Sequence, residues 1–170
     1  SRIGDLDGDG KADVVIGAQG DKGGRFRGAA YVLFMRADGT VREFQKISDT
    51  EGTPSDFTLE DFDNFGVSAA GIGNLDGDGV QDILVGARSD DDGGDQRGAA
   101  YVLFMRADGT VREFQKISDT EGTPTDFTLE NFDRFGGAVS RIGDLDGDGK
   151  ADVVIGASGD TGGSFRGAAY

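Results

Sequence analysis

The sequence DLDGDGKAD occupies residues 5–13 of this chain. It returns unchanged at residues 144–152, and residues 74–82 carry the close variant NLDGDGVQD. Written by position, the phrase is D/N-x-D-G-D-G-x-x-D, with side-chain oxygens at the first, third, fifth and ninth positions. Glycine at the fourth and sixth positions lets the backbone turn where a Cβ would clash. We interpret the phrase as a tight loop that directs its carboxylates inward.

Converging hard oxygens are the ligands that Ca²⁺ prefers, and it takes roughly 6–8 of them at about 2.3–2.6 Å. We therefore predict three calcium sites, each formed by the four oxygen-bearing side chains and by the backbone carbonyl of the seventh position. The predicted ligands are Asp5, Asp7, Asp9, Lys11 and Asp13 in the first loop, Asn74, Asp76, Asp78, Val80 and Asp82 in the second, and Asp144, Asp146, Asp148, Lys150 and Asp152 in the third. The second loop has one charge fewer, and we expect it to bind most weakly.

Other interpretations of the acidic phrase are possible. An EF-hand loop opens in the same way, but it ends in a bidentate Glu at position twelve between two helices. That position holds Ile16, Val85 or Ile155 here, which excludes the EF-hand. Mg²⁺ is a weaker alternative because it prefers octahedral, water-rich sites. A solvated acidic turn without metal is disfavoured by the threefold recurrence. A bound metal is expected to brace the loop rather than to contact a ligand.

Outward from the acidic loops, the whole chain repeats. Residues 27–54 recur identically at 97–124. The run DVVIGA at 13–18 is continuously apolar, as expected of a strand covered on both faces. Residues 28–36 and 40–47 predict a hairpin closed by an Asp-Gly turn, and a further strand leads into each of the later acidic loops, at 65–72 and 135–142. The connector at 48–64 is expected to carry one short turn of helix.

Four antiparallel strands in each long repeat are typical of a β-propeller blade. We predict an all-β chain of about two and a half blades, from its length and the spacing of the repeat. A closed propeller needs about 4–8 blades, so this chain is expected to form an incomplete propeller. The predicted division is a partial blade at 1–64, a complete blade at 65–134 and a partial blade at 135–170. Open sheet edges in such an incomplete propeller invite pairing with further blades or other chains.

Composition excludes several classes of function. The 170 residues contain 32 acids and 17 bases, which gives a formal charge of −15 and argues against a nucleic-acid partner. There is no Cys and no His, so a thiol nucleophile, a zinc–thiolate site and a histidine general base are excluded. No apolar run approaches the ~20 residues needed to span a bilayer, and we expect no membrane insertion.

The chain resembles the FG-GAP repeat, the blade of the integrin α-subunit propeller and of many bacterial surface proteins. The residues that carry this resemblance are FG at 65–66 and 135–136, the acidic loops, and GAQ, GAR and GAS at 17–19, 86–88 and 156–158. Gln19, Arg88 and Ser158 stand where the repeat's name-giving Pro would be. The resemblance implies a seven-bladed propeller with calcium loops on one face, ligand contacts on the opposite face, and an extracellular or cell-surface location.

Two functions follow as expectations. The first is a calcium-braced, non-catalytic module for adhesion or protein interaction. The second is a carbohydrate-active propeller, either a polysaccharide lyase or a lectin-like sugar binder, in which Glu60 and Asp61 could perform acid–base chemistry. The corresponding pair in the next copy is Glu130 and Asn131. The acid pair is therefore not kept between copies, which favours the non-catalytic module.

A protein or glycan ligand is expected on the face opposite the calcium loops. Connections between the strands of a blade alternate between two faces, so the acidic loops and the ADGT hairpin turns should share one face. The other face would consist of the loops at 19–27, 88–97 and 158–166 and the connectors at 48–64 and 118–134. These loops vary most between copies and contain the side chains that we expect to be exposed and to contact a partner: Phe26, Phe165, Asp90, Asp91 and Asp92.

Overall fold

A computed structural model describes residues 1–21, 24–160 and 167–170. Within these ranges the chain forms eleven β-strands and no α-helix. The strands are β1 (Arg2–Gly4), β2 (Asp13–Ala18), β3 (Ala29–Met35), β4 (Val41–Ile47), β5 (Phe65–Gly73), β6 (Asp82–Ala87), β7 (Ala99–Met105), β8 (Val111–Ile117), β9 (Phe135–Gly143), β10 (Asp152–Ala157) and β11 (Ala168–Ala169). The predicted all-β class is confirmed.

The strands form three antiparallel sheets in which chain neighbours are also sheet neighbours. Two sheets have four strands, in the orders β1-β2-β3-β4 and β5-β6-β7-β8, and the third has the order β9-β10-β11. The predicted hairpin occurs in both four-stranded sheets, where Arg36 N–H donates to Thr40 O at 2.7 Å and Arg106 N–H donates to Thr110 O at 2.8 Å. None of the sheets formed by the described residues closes into a barrel, which is consistent with part of a propeller.

Two hydrophobic cores lie between adjacent sheets. The first joins the β1–β4 sheet to the β5–β8 sheet and includes Val15, Phe34, Phe65 and Met105. The second joins the β5–β8 sheet to the β9–β11 sheet and includes Leu84, Val102 and Ile155. The central sheet is therefore covered on both faces, and every residue of β6 is buried. The equivalent β2 is less covered than its sequence predicts, because Ile16 remains 49% exposed.

The Phe-Gly pairs allow neighbouring sheets to approach at backbone distance. A Cβ on Gly17 would lie 1.8 Å from Gly66 O, and a Cβ on Gly86 would lie 1.9 Å from Gly136 O. Gly66 itself has a φ of +83°, a backbone conformation that residues other than glycine rarely adopt. Each FG strand thus packs against the GA strand of the preceding sheet.

The connector at 48–64 contains turns, so the predicted turn of helix is wrong. Phe57 N–H donates to Pro54 O at 3.1 Å, which closes a single turn. The chain beyond it is irregular, and Phe57 and Leu59 are buried in the first core. Both side chains reach the core only if this part of the backbone is extended. A helix of the same number of residues would be too short to place them there.

Candidate metal centre

Each acidic loop joins the first strand of its sheet to the second, and its backbone is shaped by paired glycines. Gly8 and Gly10 have φ angles of 77° and 84° in the first loop, and the glycines of the other two loops match them. The carboxylates of the loop also stabilise its turns by accepting backbone hydrogen bonds. Asp9 N–H donates to Asp7 Oδ1 at 3.1 Å, and Lys11 N–H donates to Asp9 Oδ1 at 2.8 Å. The sequence prediction of a tight, glycine-dependent loop is confirmed.

Three carboxylates converge in the first loop and three in the last. Asp5, Asp7 and Asp13 each present an oxygen within 4.8 Å of the other two. Asp144, Asp146 and Asp152 form the same arrangement. The donors are hard anionic oxygens, which suit Ca²⁺ and match the charge it needs. Two acidic clusters that could bind a metal ion are therefore present in the described residues.

The ninth position is the anchor of the loop. Asp13 is 1% exposed, and its two oxygens accept hydrogen bonds from Leu6 N–H at 2.9 Å and from Met35 N–H at 3.1 Å. Asp82 repeats this arrangement with Leu75 and Met105. Burial raises the pKa of Asp82, although the two backbone hydrogen bonds act in the opposite direction. The carboxylate thus ties the acidic loop to the third strand of its sheet.

The second loop has the same framework with an amide in place of one carboxylate. Gly77 N–H donates to Asn74 Oδ1 at 2.9 Å, as Gly147 N–H donates to Asp144 Oδ1 at 2.7 Å. Asp78 N–H donates to Asp76 Oδ1 at 3.0 Å. The loop geometry therefore does not depend on the charge of the first residue.

The fifth-position acids lie outside the two converging clusters. Asp9, Asp78 and Asp148 each use Oδ1 to accept the N–H of the seventh residue, at 2.7–2.8 Å. That leaves Oδ2 as the oxygen through which they would reach an ion. Their ligation, and that of the carbonyls of Lys11, Val80 and Lys150, stays a prediction.

Sequence reasoning missed two arginines that contact the acidic loops. Arg42 of β4 donates to Asp7 and, at 3.2 Å, to Asp9 Oδ2. Arg112 of β8 contacts Asp76 in the same way. The available signal was their shared position, one residue into the outer strand of each hairpin. These contacts place the hairpin turns at the same end of the sheet as the acidic loops.

At the opposite end of the sheets, the expected exposure of Asp90 is wrong. Asp90 is 2% exposed, accepts a hydrogen bond from Tyr101 Oη at 2.9 Å, and pairs with Lys116 Nζ at 2.8 Å. Tyr31 and Lys46 contact Asp21 in the same way in the first sheet. Because the acid recurs as a structural partner, it belongs to the framework of the blade. Asp91 and Asp92 are exposed, as predicted.

A buried acid and exposed aromatic rings also lie at this end. Burial, followed by the neighbouring charge of Asp90, raises the pKa of Asp63 to about 7. Phe26 is 56% exposed, as predicted, and its ring stacks on that of Phe62 at a centroid distance of 6.0 Å. Phe165 lies outside the described residues.

No helix in the described ranges is long and apolar enough to cross a bilayer. Comparison with known proteins gives one family and several relatives. A family model described as "FG-GAP repeat" matches residues 2–33 and 135–170. Integrin alpha-4 of Xenopus laevis is 31% identical over 153 residues, which cover 90% of this chain and 13% of the relative. Integrin alpha-5 of Xenopus laevis is 32% identical over 167 residues, covering 91% of this chain and 14% of the relative.

Integrin alpha-7 of Rattus norvegicus is 29% identical over 164 residues, which cover 95% of this chain and 13% of the relative. The chain therefore spans about one seventh of the length of these relatives. Three sheets of antiparallel strands, acidic loops after the first strand, and Phe-Gly contacts between sheets accompany this similarity. The chain is an FG-GAP repeat protein related to the N-terminal propeller region of integrin α subunits.

Proposed function

We propose that this chain is a calcium-braced, non-catalytic propeller module in which each of the three acidic loops holds one Ca²⁺. The observation that carries the proposal is the convergence of Asp5, Asp7 and Asp13, repeated by Asp144, Asp146 and Asp152. Asp76 and Asp82, together with the amide oxygen of Asn74, would supply the equivalent donors of the second loop. Asp13 and Asp82 would then connect the ions of the first two loops to the third strands of their sheets.

Electrostatics supports a requirement for a cation at these loops. The three loops hold eleven of the 32 acids, and the chain has a formal charge of −15. Like-charged carboxylates this close repel one another, so the loops are costly to assemble without a counter-ion. Three Ca²⁺ ions would bring the formal charge from −15 to −9, since each contributes two positive charges.

The same proposal divides the chain into a partial blade at 1–64, a complete blade at 65–134 and a partial blade at 135–170, each with one acidic loop. We place the module outside the cell or at its surface, because extracellular calcium modules bind at about 10⁻⁴–10⁻³ M. The similarity to integrin α subunits supports a protein partner and an adhesive role. Its contact surface would be the end opposite the acidic loops, where Phe26 and Phe62 are exposed.

The interactions of Asp61 support a non-catalytic role. Arg27 pairs with Asp61 at 2.8 Å and holds the pKa of that carboxyl below its usual range. A general acid in glycoside cleavage needs a raised pKa instead. Glu60 and Asp61 therefore fit a structural connector better than the carbohydrate-active alternative.

Calcium stoichiometry tests the proposal directly. Isothermal titration of the full chain, first stripped with EGTA, should give three Ca²⁺ per chain. The double variant Asp144→Ala/Asp146→Ala should bind two, and Asp126→Ala, which removes an exposed acid outside the loops, should still bind three. Binding of no calcium at millimolar concentration would refute the proposed function.

The adhesive role needs its own assay. Cells should attach to a surface coated with the chain in Ca²⁺ and detach in EGTA, while attachment to a coated control protein stays unchanged. Equal attachment in Ca²⁺ and in EGTA would show that adhesion does not depend on bound calcium.

A further inference from the structure

The outer strands β4 and β8 each direct one cation at an acidic loop. The guanidinium of Arg42 contacts the carboxylate of Asp7, and its Nη1 lies 3.2 Å from Asp9 Oδ2. Arg112 contacts Asp76 with Nη2, which also lies 3.7 Å from Asp78 Oδ2. The same arginine–carboxylate contact thus occurs in both sheets, between residues that are 33 to 36 positions apart in sequence.

Local structure holds Arg42 at this position. The hairpin turn ends one residue before β4. The second residue of that strand, Arg42, therefore lies at the end of the sheet that carries the acidic loop. Its guanidinium carbon lies 5.6 Å from the ring centroid of Phe34, a favourable cation–π distance. The neighbouring arginine, Arg36, points elsewhere and donates to Val41 O at 2.8 Å.

The third loop differs from the first two. In the described part of the chain, Asp144, Asp146 and Asp148 form no salt bridge. Lys150 belongs to the third loop, but its Nζ donates to Leu75 O of the second loop at 2.6 Å. Among the described residues, the first and second loops each contact a guanidinium, and the third loop contacts none.

We propose that Arg42 and Arg112 are internal competitors of calcium that set the affinities of the first and second loops. The inference rests on the proposed function, because it requires that the loops bind Ca²⁺. The guanidinium and the ion share the third-position carboxylate, and two cations at one carboxylate repel each other. Calcium entry weakens or displaces the arginine contact, so occupancy of a loop is coupled to the hairpin that carries the arginine.

The order of affinities follows from charge. The third loop, with four acids and no arginine among the described residues, binds Ca²⁺ most tightly. The first loop has four acids, Arg42, and a Lys11 contact that is limited to Asp9, outside the converging cluster, and it is intermediate. The second loop has three acids, Asn74 and Arg112 and is weakest.

The test measures calcium affinity loop by loop on the full chain. Two-dimensional ¹H–¹⁵N spectra report each site through its own loop glycines, Gly8, Gly77 and Gly147, during titration with CaCl₂. Arg42→Gln should tighten the first site about tenfold, as expected for removal of one partly exposed charge beside a divalent ion, and should leave the third unchanged. Arg112→Gln should do the same for the second site alone.

Two control variants isolate the charge. Arg42→Lys keeps the positive charge and should keep affinity near that of the unmodified chain. Arg36→Gln removes an arginine from the same hairpin that does not contact the loop, and it should leave all three sites unchanged.

The inference and the proposed function fail in different ways. If the unmodified chain binds Ca²⁺ but Arg42→Gln weakens the first site or leaves it unchanged, the arginine orients the ligand or is a bystander, and the inference is overturned. If no glycine resonance of the unmodified chain responds to Ca²⁺, both statements fall.

Discussion

At the scale of single residues, Asp63 makes stability depend on pH. Its pKa rises from 3.8 to about 7 in the folded chain, because burial disfavours the charged form and Asp90 adds a like charge. The folded state therefore holds a proton that the unfolded state releases between these values. Stability contributed by this proton is complete below about pH 4 and is lost as pH rises through about 7.

Asp63→Asn should stabilise the chain at alkaline pH. An amide keeps an acceptor for Glu60 N–H, which donates to Asp63 Oδ2 at 2.7 Å, and it carries no charge. We expect a gain of about 1–2 kcal/mol near pH 8 and little change near pH 4, measured by urea unfolding. Asp61→Asn is the matched control, because the pKa of Asp61 is lowered and its loss should not stabilise. A uniform effect of Asp63→Asn at both pH values would contradict the assignment.

Asp90 is predicted to stabilise the fold rather than to contact a partner. Asp90→Ser leaves Tyr101 Oη without its acceptor and removes one of the two acids that pair with Lys116. Loss of one member of a buried pair should cost about 2–4 kcal/mol in free energy of unfolding. Asp95→Ser, an exposed acid in the same loop, should change that free energy by less than about 0.5 kcal/mol. Equal effects of the two variants would contradict the framework role.

The residues predicted correctly were those whose role is local. The acidic loop is specified by glycines and acids within nine positions, so its turn could be derived from sequence alone. The pair formed by Asp90 and Lys116 spans 26 positions and a hairpin, and pattern reasoning placed the acid at the surface. The available signal was repetition, because Asp21 and Lys46 occupy the corresponding positions in the first sheet.

At the scale of structural elements, contact between an FG strand and the preceding GA strand determines how sheets stack. Gly86 in β6 and Gly156 in β10 occupy equivalent positions. A Cβ on Gly86 would lie 1.9 Å from Gly136 O, whereas the nearest atom to a Cβ on Gly156 is 3.5 Å away. The same substitution at the two positions therefore separates sheet packing from strand propensity.

Gly86→Ala should destabilise the chain by about 3 kcal/mol, because backbone must move to admit the methyl group. Gly156→Ala should change stability by less than about 1 kcal/mol, since that contact is of ordinary van der Waals length. Chemical denaturation of both variants is the measurement. A similar loss of unfolding free energy in both variants would show that the contact between sheets at Gly86 does not account for the effect.

Strand assignments from sequence were accurate because the repeated apolar runs are short and bounded by Gly and Asp. The expected turn of helix in the connector was wrong, because tertiary contacts determine the path of that segment. Burial of Phe57 and Leu59 between two sheets overrides local preference, and the segment follows an irregular path. The exposure of Ile16 has a comparable tertiary cause, since β2 is covered on fewer sides than β6.

At the scale of the whole molecule, three sheets are joined by two cores, and the central sheet is common to both. The acidic loops and hairpin turns lie at one end of the sheets, and the connectors, the loop at 88–97 and the described residues of the loop at 19–27 lie at the other. The repeat in the sequence predicted this organisation, since each copy is one unit that buries its apolar face only against a neighbour. Sequence reasoning missed the arginine contacts because they join a strand of one hairpin to a loop about 35 positions earlier, and only the repeated position of Arg42 and Arg112 pointed to them.

The most direct test of calcium bracing is the thermal midpoint of the full chain, followed by circular dichroism in millimolar CaCl₂ and in EGTA, with MgCl₂ as the control for ionic strength and charge. Ions that bind only the folded state raise its stability by mass action. We predict a midpoint about 10 °C or more higher in Ca²⁺ than in EGTA, with a much smaller rise in Mg²⁺. The same midpoint in Ca²⁺ and in EGTA would contradict calcium bracing.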